Sequence, residues 1–94
     1  MKIINLPPVV DRTAAIELAT ELSDAMGAGT EVAVAAGNVR QIGQCGLQLL
    51  VSAALTAEKR DLSFMVQDRS EPFENALRIA GLHRLLPGPA AQAL

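Results

Sequence analysis

The sequence predicts a single α/β domain with a mostly parallel central sheet of three to four strands and three helices. Strand-like and helix-like segments alternate in the order β-α-β-α-β-α, and the connections between them are short. Strands that alternate with helices form parallel sheets with right-handed crossovers. The middle strand is apolar at successive positions, which is typical of a sheet that is covered on both faces.

The first strand is predicted over residues 2–6, and it ends at Pro7 and Pro8. Proline cannot donate a ladder hydrogen bond, so we expect this strand to stop abruptly or to lie near an edge of the sheet. Residues 9–10, both valine, add a second extended piece before the first helix.

The first helix is predicted over residues 13–26, with Asp11 or Thr13 as its N-cap. Apolar residues recur along one side at helical spacing, and the segment Gly-Ala-Gly at 27–29 ends the helix. Ile16 lies off this stripe. It is either an ordinary exposed residue at the flank or a contact point for a partner.

The other side of the first helix carries three acidic residues, Glu17, Glu21 and Asp24. Like charges four residues apart repel each other weakly on an isolated helix. The simpler interpretation is a solvated helix face, and the alternative is an acidic patch that faces basic residues of a partner.

The second strand is predicted over residues 31–36, and Gly37 and Asn38 make the turn that follows it. Val39 and Ile42 are expected to enter the core before the second helix, residues 44–59. The N-terminal half of this helix is apolar nearly all round. It is therefore either deeply buried or partly a docking surface.

The third strand is predicted over residues 62–66, and Ser70 or Glu71 caps the third helix, with Pro72 in its first turn. Gly81 stands where a helix-ending glycine is expected, and Leu85 and Leu86 are expected to close the core. These assignments give a domain over residues 1–86 and a short C-terminal tail, residues 87–94.

The corner before the second helix reads Gly-Gln-Cys-Gly-Leu over residues 43–47. This part of the sequence resembles a STAS domain, the module of sulfate-transporter tails and anti-sigma-factor antagonists. The resemblance rests on the order of a strand, a loop, a small residue, Gly-Leu and an apolar helix. In those antagonists the corner reads roughly Asp-Ser-Ser/Thr-Gly-Leu, and the hydroxyl residue before the glycine accepts the phosphate. Here Gly46 and Leu47 match, and Cys45 stands at the phosphoacceptor position.

The resemblance extends from about residue 4 to residue 86. Asp11 and Thr13 resemble the start of the family's first helix, and residues 70–73 with Gly81-Leu82 resemble its last helix. Gly-Leu-Gln-x-Leu at 46–50 is similar to small stand-alone STAS proteins that are encoded with chemotaxis and two-component genes in proteobacteria.

This resemblance implies a non-catalytic signalling adaptor that binds a partner protein, with a chemotaxis or two-component histidine kinase as the favoured partner. The partner surface would centre on the corner and on the exposed side of the second helix. The predicted partner-binding residues are Gln41, Gly43, Gln44, Cys45 and Gln48. Phosphorylation at Cys45 is not expected, because a switch of this kind needs a hydroxyl at the helix start.

Three alternatives remain open. In the first alternative, the chain is an antagonist of an anti-sigma serine kinase, with Cys45 in place of the phosphoacceptor. In the second, it is the STAS subunit of a lipid-transport ABC complex. In the third alternative Cys45 is a redox sensor, because a thiol at a helix N-terminus can be reactive. The simpler interpretation of Cys45 is a small, half-buried residue that fills the space of a lost serine.

Composition excludes several classes of function. The formal net charge is −2, the basic residues are scattered, and tryptophan and tyrosine are absent, so we do not expect a nucleic-acid surface. No apolar run approaches the ~20 residues of a membrane span. One cysteine and one histidine, without a nucleotide-binding motif, predict neither an enzyme nor a metal or cofactor site. We expect a cytoplasmic protein, and a homodimer is left open.

Overall fold

The computed structural model describes residues 1–86, apart from the side chain of His83, and the predicted tail at 87–94 lies outside these described residues. The strands are β1 (Lys2–Asn5), β2 (Val9–Val10), β3 (Val32–Ala35), β4 (Gln41–Ile42) and β5 (Phe64–Gln67). The helices are α1 (Arg12–Gly27), α2 (Gln44–Lys59) and α3 (Glu71–Ala80), and a 3-10 turn follows at His83–Leu85.

The main sheet is parallel and has the strand order β1-β3-β5. Its register places Ile4 beside Val34 and Val34 beside Val66. The predicted fold class, an α/β domain in the order β-α-β-α-β-α, is confirmed. β2 and β4 form a second, two-stranded parallel sheet in which Val10 pairs with Ile42. The sequence analysis placed Ile42 near the core but did not predict β4, because two residues are too short for a periodic signal.

The core lies on one face of the main sheet, where all three helices bury their apolar stripes in a single cluster. The largest fully buried side chains are Phe73, Leu50, Leu77, Val10, Val32, Val34, Val39 and Val66. Val39 enters the core as predicted. Of the two leucines expected to close it, Leu86 is buried and Leu85 is 48% exposed.

The other face of the sheet is more open than the sequence predicts. Ala33 is buried but does not belong to the core cluster. Its strand neighbours on this face are Ile3, which is 57% exposed, and Met65, which is half-buried. The expectation that both faces are covered therefore holds at Ala33 in the middle strand and fails at Ile3 in the neighbouring strand. A small side chain such as alanine is shielded by its neighbours in the sheet and needs no helix above it.

The helix ends follow local capping rules. The Asp11 Oδ1 accepts a 2.9 Å hydrogen bond from the amide of Ala14, so Asp11 is the N-cap of α1. Gly81 ends α3 in the left-handed conformation, with φ of 73°. The amide of Leu82 then folds back to donate to the carbonyl of Leu77 at 3.0 Å. These caps confirm the predicted start of α1 and the predicted end of α3.

Ser70 joins α3 to the loop that follows β3. Its Oγ accepts a hydrogen bond from the Phe73 amide at 3.2 Å and donates to the carbonyl of Val39 at 2.6 Å. The Ser70 amide also donates to the carbonyl of Ala36 at 3.2 Å. One residue therefore caps α3 and holds the segment that leads to β4 and α2.

Arg69 holds the C-terminal end of the described chain. Its side chain is 6% exposed, and it donates to the carbonyls of Val66 at 3.0 Å and Leu86 at 2.9 Å. It also pairs with the Glu74 carboxylate at 3.2 Å. The guanidinium thereby satisfies a carbonyl of the outermost strand β5 and fixes Leu86 in the core.

We expect Ser70→Ala to lower the free energy of unfolding by about 2 kcal/mol, because it removes an N-cap and also leaves the Val39 carbonyl without its hydroxyl donor. Asp11→Ala is the matched control, since Asp11 acts as an N-cap alone, and it should cost about 1 kcal/mol. Urea unfolding of both variants measures the difference. Equal losses would contradict a joining role for Ser70.

Candidate functional site

The structure places all five predicted partner-binding residues on the surface at one corner. Gln41 lies in β4, Gly43 is the N-cap of α2, and Gln44, Cys45 and Gln48 follow in its first turns. Each of the five is exposed. Gln44 and Gln48 are four residues apart and so lie one above the other on the same side of the helix.

The N-terminus of α2 is held by backbone contacts. Gly43 is extended, with φ of −82° and ψ of 169°, and it offers no side chain to cap the helix. Its amide donates to the carbonyl of Val10 at 3.1 Å, and its carbonyl accepts from Leu47 at 3.2 Å. The small β2–β4 sheet therefore fixes where α2 begins.

Gly46 allows α2 to approach the β2–β4 sheet closely. A Cβ at this position would lie 3.0 Å from Cγ1 of Val10 and 3.1 Å from Cγ1 of Ile42. Carbon atoms pack best at about 3.5–4.0 Å, so a side chain here would push the helix and the sheet apart. The requirement at Gly46 is for space, because its φ is not positive.

An apolar groove continues the corner toward α3. Its volume is about 530 Å³, and α2 and α3 form its two sides. We call it the α2–α3 groove; its lining residues are Ile42, Gln44, Leu47, Ala76, Ile79 and Ala80. Ile79 is 88% exposed, the largest exposed fraction among the described large apolar side chains.

The sequence analysis missed the contribution of α3 to this corner. It identified a buried stripe of Phe73, Ala76, Leu77 and Ala80 and did not consider Ile79. A signal was present, because Ile79 is two residues from Leu77 and therefore lies off the centre of the stripe, on the flank next to Ala76. An exposed apolar residue at the flank of a buried stripe, with a groove beside it, is a candidate docking contact.

Cys45 is exposed at the start of α2. The interpretation of Cys45 as a half-buried filler is therefore wrong, since the site where a serine hydroxyl would stand is open to solvent. Among the described side chains, which leave out His83, no three histidine, cysteine or acidic groups lie so that they could hold a metal ion. In the same part of the chain, no helix is long and apolar enough to cross a membrane.

A family model described as "Mlab, STAS domain" matches residues 2–87, which is nearly the whole chain. The chain belongs to the STAS domain family. The parallel sheet, the three helices and the Gly46-Leu47 corner at the start of α2 all lie within the matched range.

A solved structure also shares this STAS fold. It is the crystal structure of a candidate anti-sigma factor antagonist from Thermotoga maritima, and the two chains are 16% identical. The match covers 98% of this chain and 77% of the other, with a TM-score of 0.69. At this identity the likeness concerns the fold alone. No curated protein gives a significant match to the sequence.

In this STAS domain the glycine of the Gly-Leu pair has a packing role that can be tested. We expect Gly46→Ala to lower the free energy of unfolding by about 1 kcal/mol, because crowding against Val10 and Ile42 outweighs the better helix propensity of alanine.

Gly27→Ala is the matched control in α1, since a Cβ there meets nothing within 4 Å. It should be neutral or stabilise the domain by about 0.5 kcal/mol. Thermal and urea unfolding of both variants compare them directly. A stabilised Gly46→Ala variant would show that the corner does not depend on this close approach.

Proposed function

We propose that this STAS domain is a non-catalytic regulator that binds a partner protein through the corner surface. The corner surface consists of Gln41, Gly43, Gln44, Cys45 and Gln48 together with the α2–α3 groove. The observation that carries the proposal is the exposure of Ile79, 88%, beside an apolar groove at the family's signature corner.

The chemistry of the corner surface suits protein docking. Five of the six groove-lining residues are apolar, and none is charged. Gln44 lines the groove, and Gln41 and Gln48 are exposed on β4 and in the first turns of α2. Protein interfaces commonly combine an apolar centre that is depleted of charge with a polar rim. A partner that docks here would bury the exposed isoleucine and place its own apolar side chains in the groove.

The partner we favour is a histidine kinase of a chemotaxis or two-component pathway. The support is the similarity of residues 46–50 to small stand-alone STAS proteins of such gene clusters. The second candidate is an anti-sigma serine kinase, and its support is the description of the Thermotoga maritima protein as a candidate anti-sigma factor antagonist. A lipid-transport ABC ATPase is the third candidate. All three would use the same corner, so one set of variants tests them together.

The proposed regulator works without a phosphate switch at the start of α2. The first turn reads Gln44, Cys45, Gly46 and Leu47, and none of these residues carries a hydroxyl. A serine kinase partner would therefore find no acceptor at Cys45. Regulation would then depend on how much of each protein is present and on the affinity between them.

Two isoleucines give a matched pair of variants to test the corner surface. Ile79→Asp places a charge beside the α2–α3 groove, whereas Ile16→Asp places the same charge on α1, where isoleucine is 61% exposed. We expect Ile79→Asp to remove partner capture from lysate of the source cells by affinity purification and mass spectrometry. Ile16→Asp should capture the partner as the unmodified protein does.

Each outcome of the capture experiment has a distinct meaning. A histidine kinase that is lost with Ile79→Asp alone supports the favoured function. An anti-sigma serine kinase or an ABC ATPase with the same pattern supports the corner and selects the second or third candidate. A partner that is lost with Ile16→Asp and kept with Ile79→Asp would contradict the proposed surface.

The redox alternative is tested by Cys45→Ser. Because Cys45 is exposed at the corner and is the sole cysteine of the sequence, a thiol switch would have to act through this residue. We expect the variant to bind the captured partner with the same affinity as the unmodified protein, with and without hydrogen peroxide, by biolayer interferometry. Peroxide-sensitive binding that disappears in Cys45→Ser would establish the redox alternative instead.

A further inference from the structure

A second surface, separate from the corner, lies along the outer edge of β1. Among the described residues β1 has one neighbouring strand, β3, so its other side is an open edge of the sheet. The opposite edge is different, because Arg69 caps the Val66 carbonyl of β5. An open edge of this kind presents unpaired backbone donors and acceptors to an incoming chain.

The backbone pairing shows which groups of β1 face outward. The amides of Lys2 and Leu6 donate to the carbonyls of Glu31 and Ala35, so residues 2, 4 and 6 direct their backbone groups toward β3. Backbone groups alternate between the two sides of a strand, and the N–H and C=O groups of Ile3 and Asn5 therefore point to the open edge. These backbone groups can form hydrogen bonds with one further strand.

The surroundings of the edge differ on the two sides of the sheet. On the helix side, a groove of about 230 Å³ lies between β1 and α1, and the carboxyl-bearing residues Glu17 and Glu21 line it. On the other side, the Ile3 side chain is 57% exposed. A strand added here would present alternate side chains to acidic residues and to an apolar surface.

The charges along this edge are unevenly placed within the described residues. Lys2 lies 3.8 Å from the Glu21 carboxylate, and both side chains are about half exposed. Glu17 has no ion pair with any described side chain. The Met1 amino group and Lys2 lie at the start of β1, whereas Glu17 lines the groove beside its end with Asn5 and Pro7. The end of the edge therefore carries a carboxylate without a described counter-charge, which favours an incoming strand with basic side chains.

We propose that the outer edge of β1, together with Glu17 and Glu21, binds an extended basic segment of a partner protein as a fourth strand of the sheet. Backbone hydrogen bonds to Ile3 and Asn5 supply the pairing, as in other proteins that bind peptides by strand addition. Lysine or arginine side chains at alternate positions contact the α1 carboxylates, and the apolar side chains between them cover Ile3. Pro7 follows β1 and limits the added strand to a short segment.

A peptide of seven alternating valine and lysine residues is the probe, with a valine–glutamate peptide for comparison. In a titration of ¹⁵N-labelled protein, we expect the valine–lysine peptide to shift the amide signals of Ile3 and Asn5 and to slow their hydrogen exchange about tenfold or more. Binding should weaken as salt is added, because the carboxylates are exposed. The valine–glutamate peptide should leave these amides unchanged.

Two double variants distinguish binding at the β1 edge from a general attraction of the basic peptide to the net charge of the protein. Glu17→Lys with Glu21→Lys should weaken binding of the valine–lysine peptide about tenfold. Glu58→Lys with Glu71→Lys makes the same charge change at exposed positions on α2 and α3 and should leave the affinity unchanged. If the first double variant does not fold, Glu17→Gln with Glu21→Gln takes its place.

Three outcomes would overturn the proposal. The amides of Ile3 and Asn5 could remain unchanged at millimolar peptide, or both double variants could weaken binding equally. In the third outcome, these amides become protected without peptide as the protein concentration rises, and a dimer appears by sedimentation. The edge would then pair with a second copy of the chain.

Discussion

The close approach of α2 to the small β2–β4 sheet is the contact on which the corner at the start of α2 depends. Gly46 allows the helix to pack directly on Val10 and Ile42, with no room for a side chain between them. The Gly43 amide and the Val10 carbonyl join the same two elements by a hydrogen bond. Packing and a backbone hydrogen bond thus fix the start of α2, although its N-cap residue has no side chain.

This arrangement leaves the outer surface of the corner free to vary. The residues that fix the start of α2 are buried, half-buried or act through the backbone, whereas the glutamines and Cys45 are exposed. We therefore expect an exchange between a thiol and a hydroxyl at position 45 to cost the fold little. Ser70 reaches the same corner from α3, because its hydroxyl holds the Val39 carbonyl in the loop before β4.

Sequence reasoning succeeded where the determinants are local and failed where they depend on pairing between distant segments. The three helices followed from apolar periodicity and from caps such as Asp11, Ser70 and Gly81. β4 was missed because its two residues are defined by their pairing with β2. The α2–α3 groove is lined by residues of α2, α3 and β4 that are far apart in the sequence, so no single segment shows it. The open face beside Ala33 was missed because alanine fits a covered face and a half-open face equally well.

The most direct test of the central claim is a hydrogen-exchange comparison of the protein alone and in complex with its captured partner. The account predicts slower exchange in the complex at residues 41–48 and 76–80, which form the corner surface, and no change along α1. Slower exchange confined to α1 or to the open face of the sheet, with residues 41–48 and 76–80 unchanged, would contradict it.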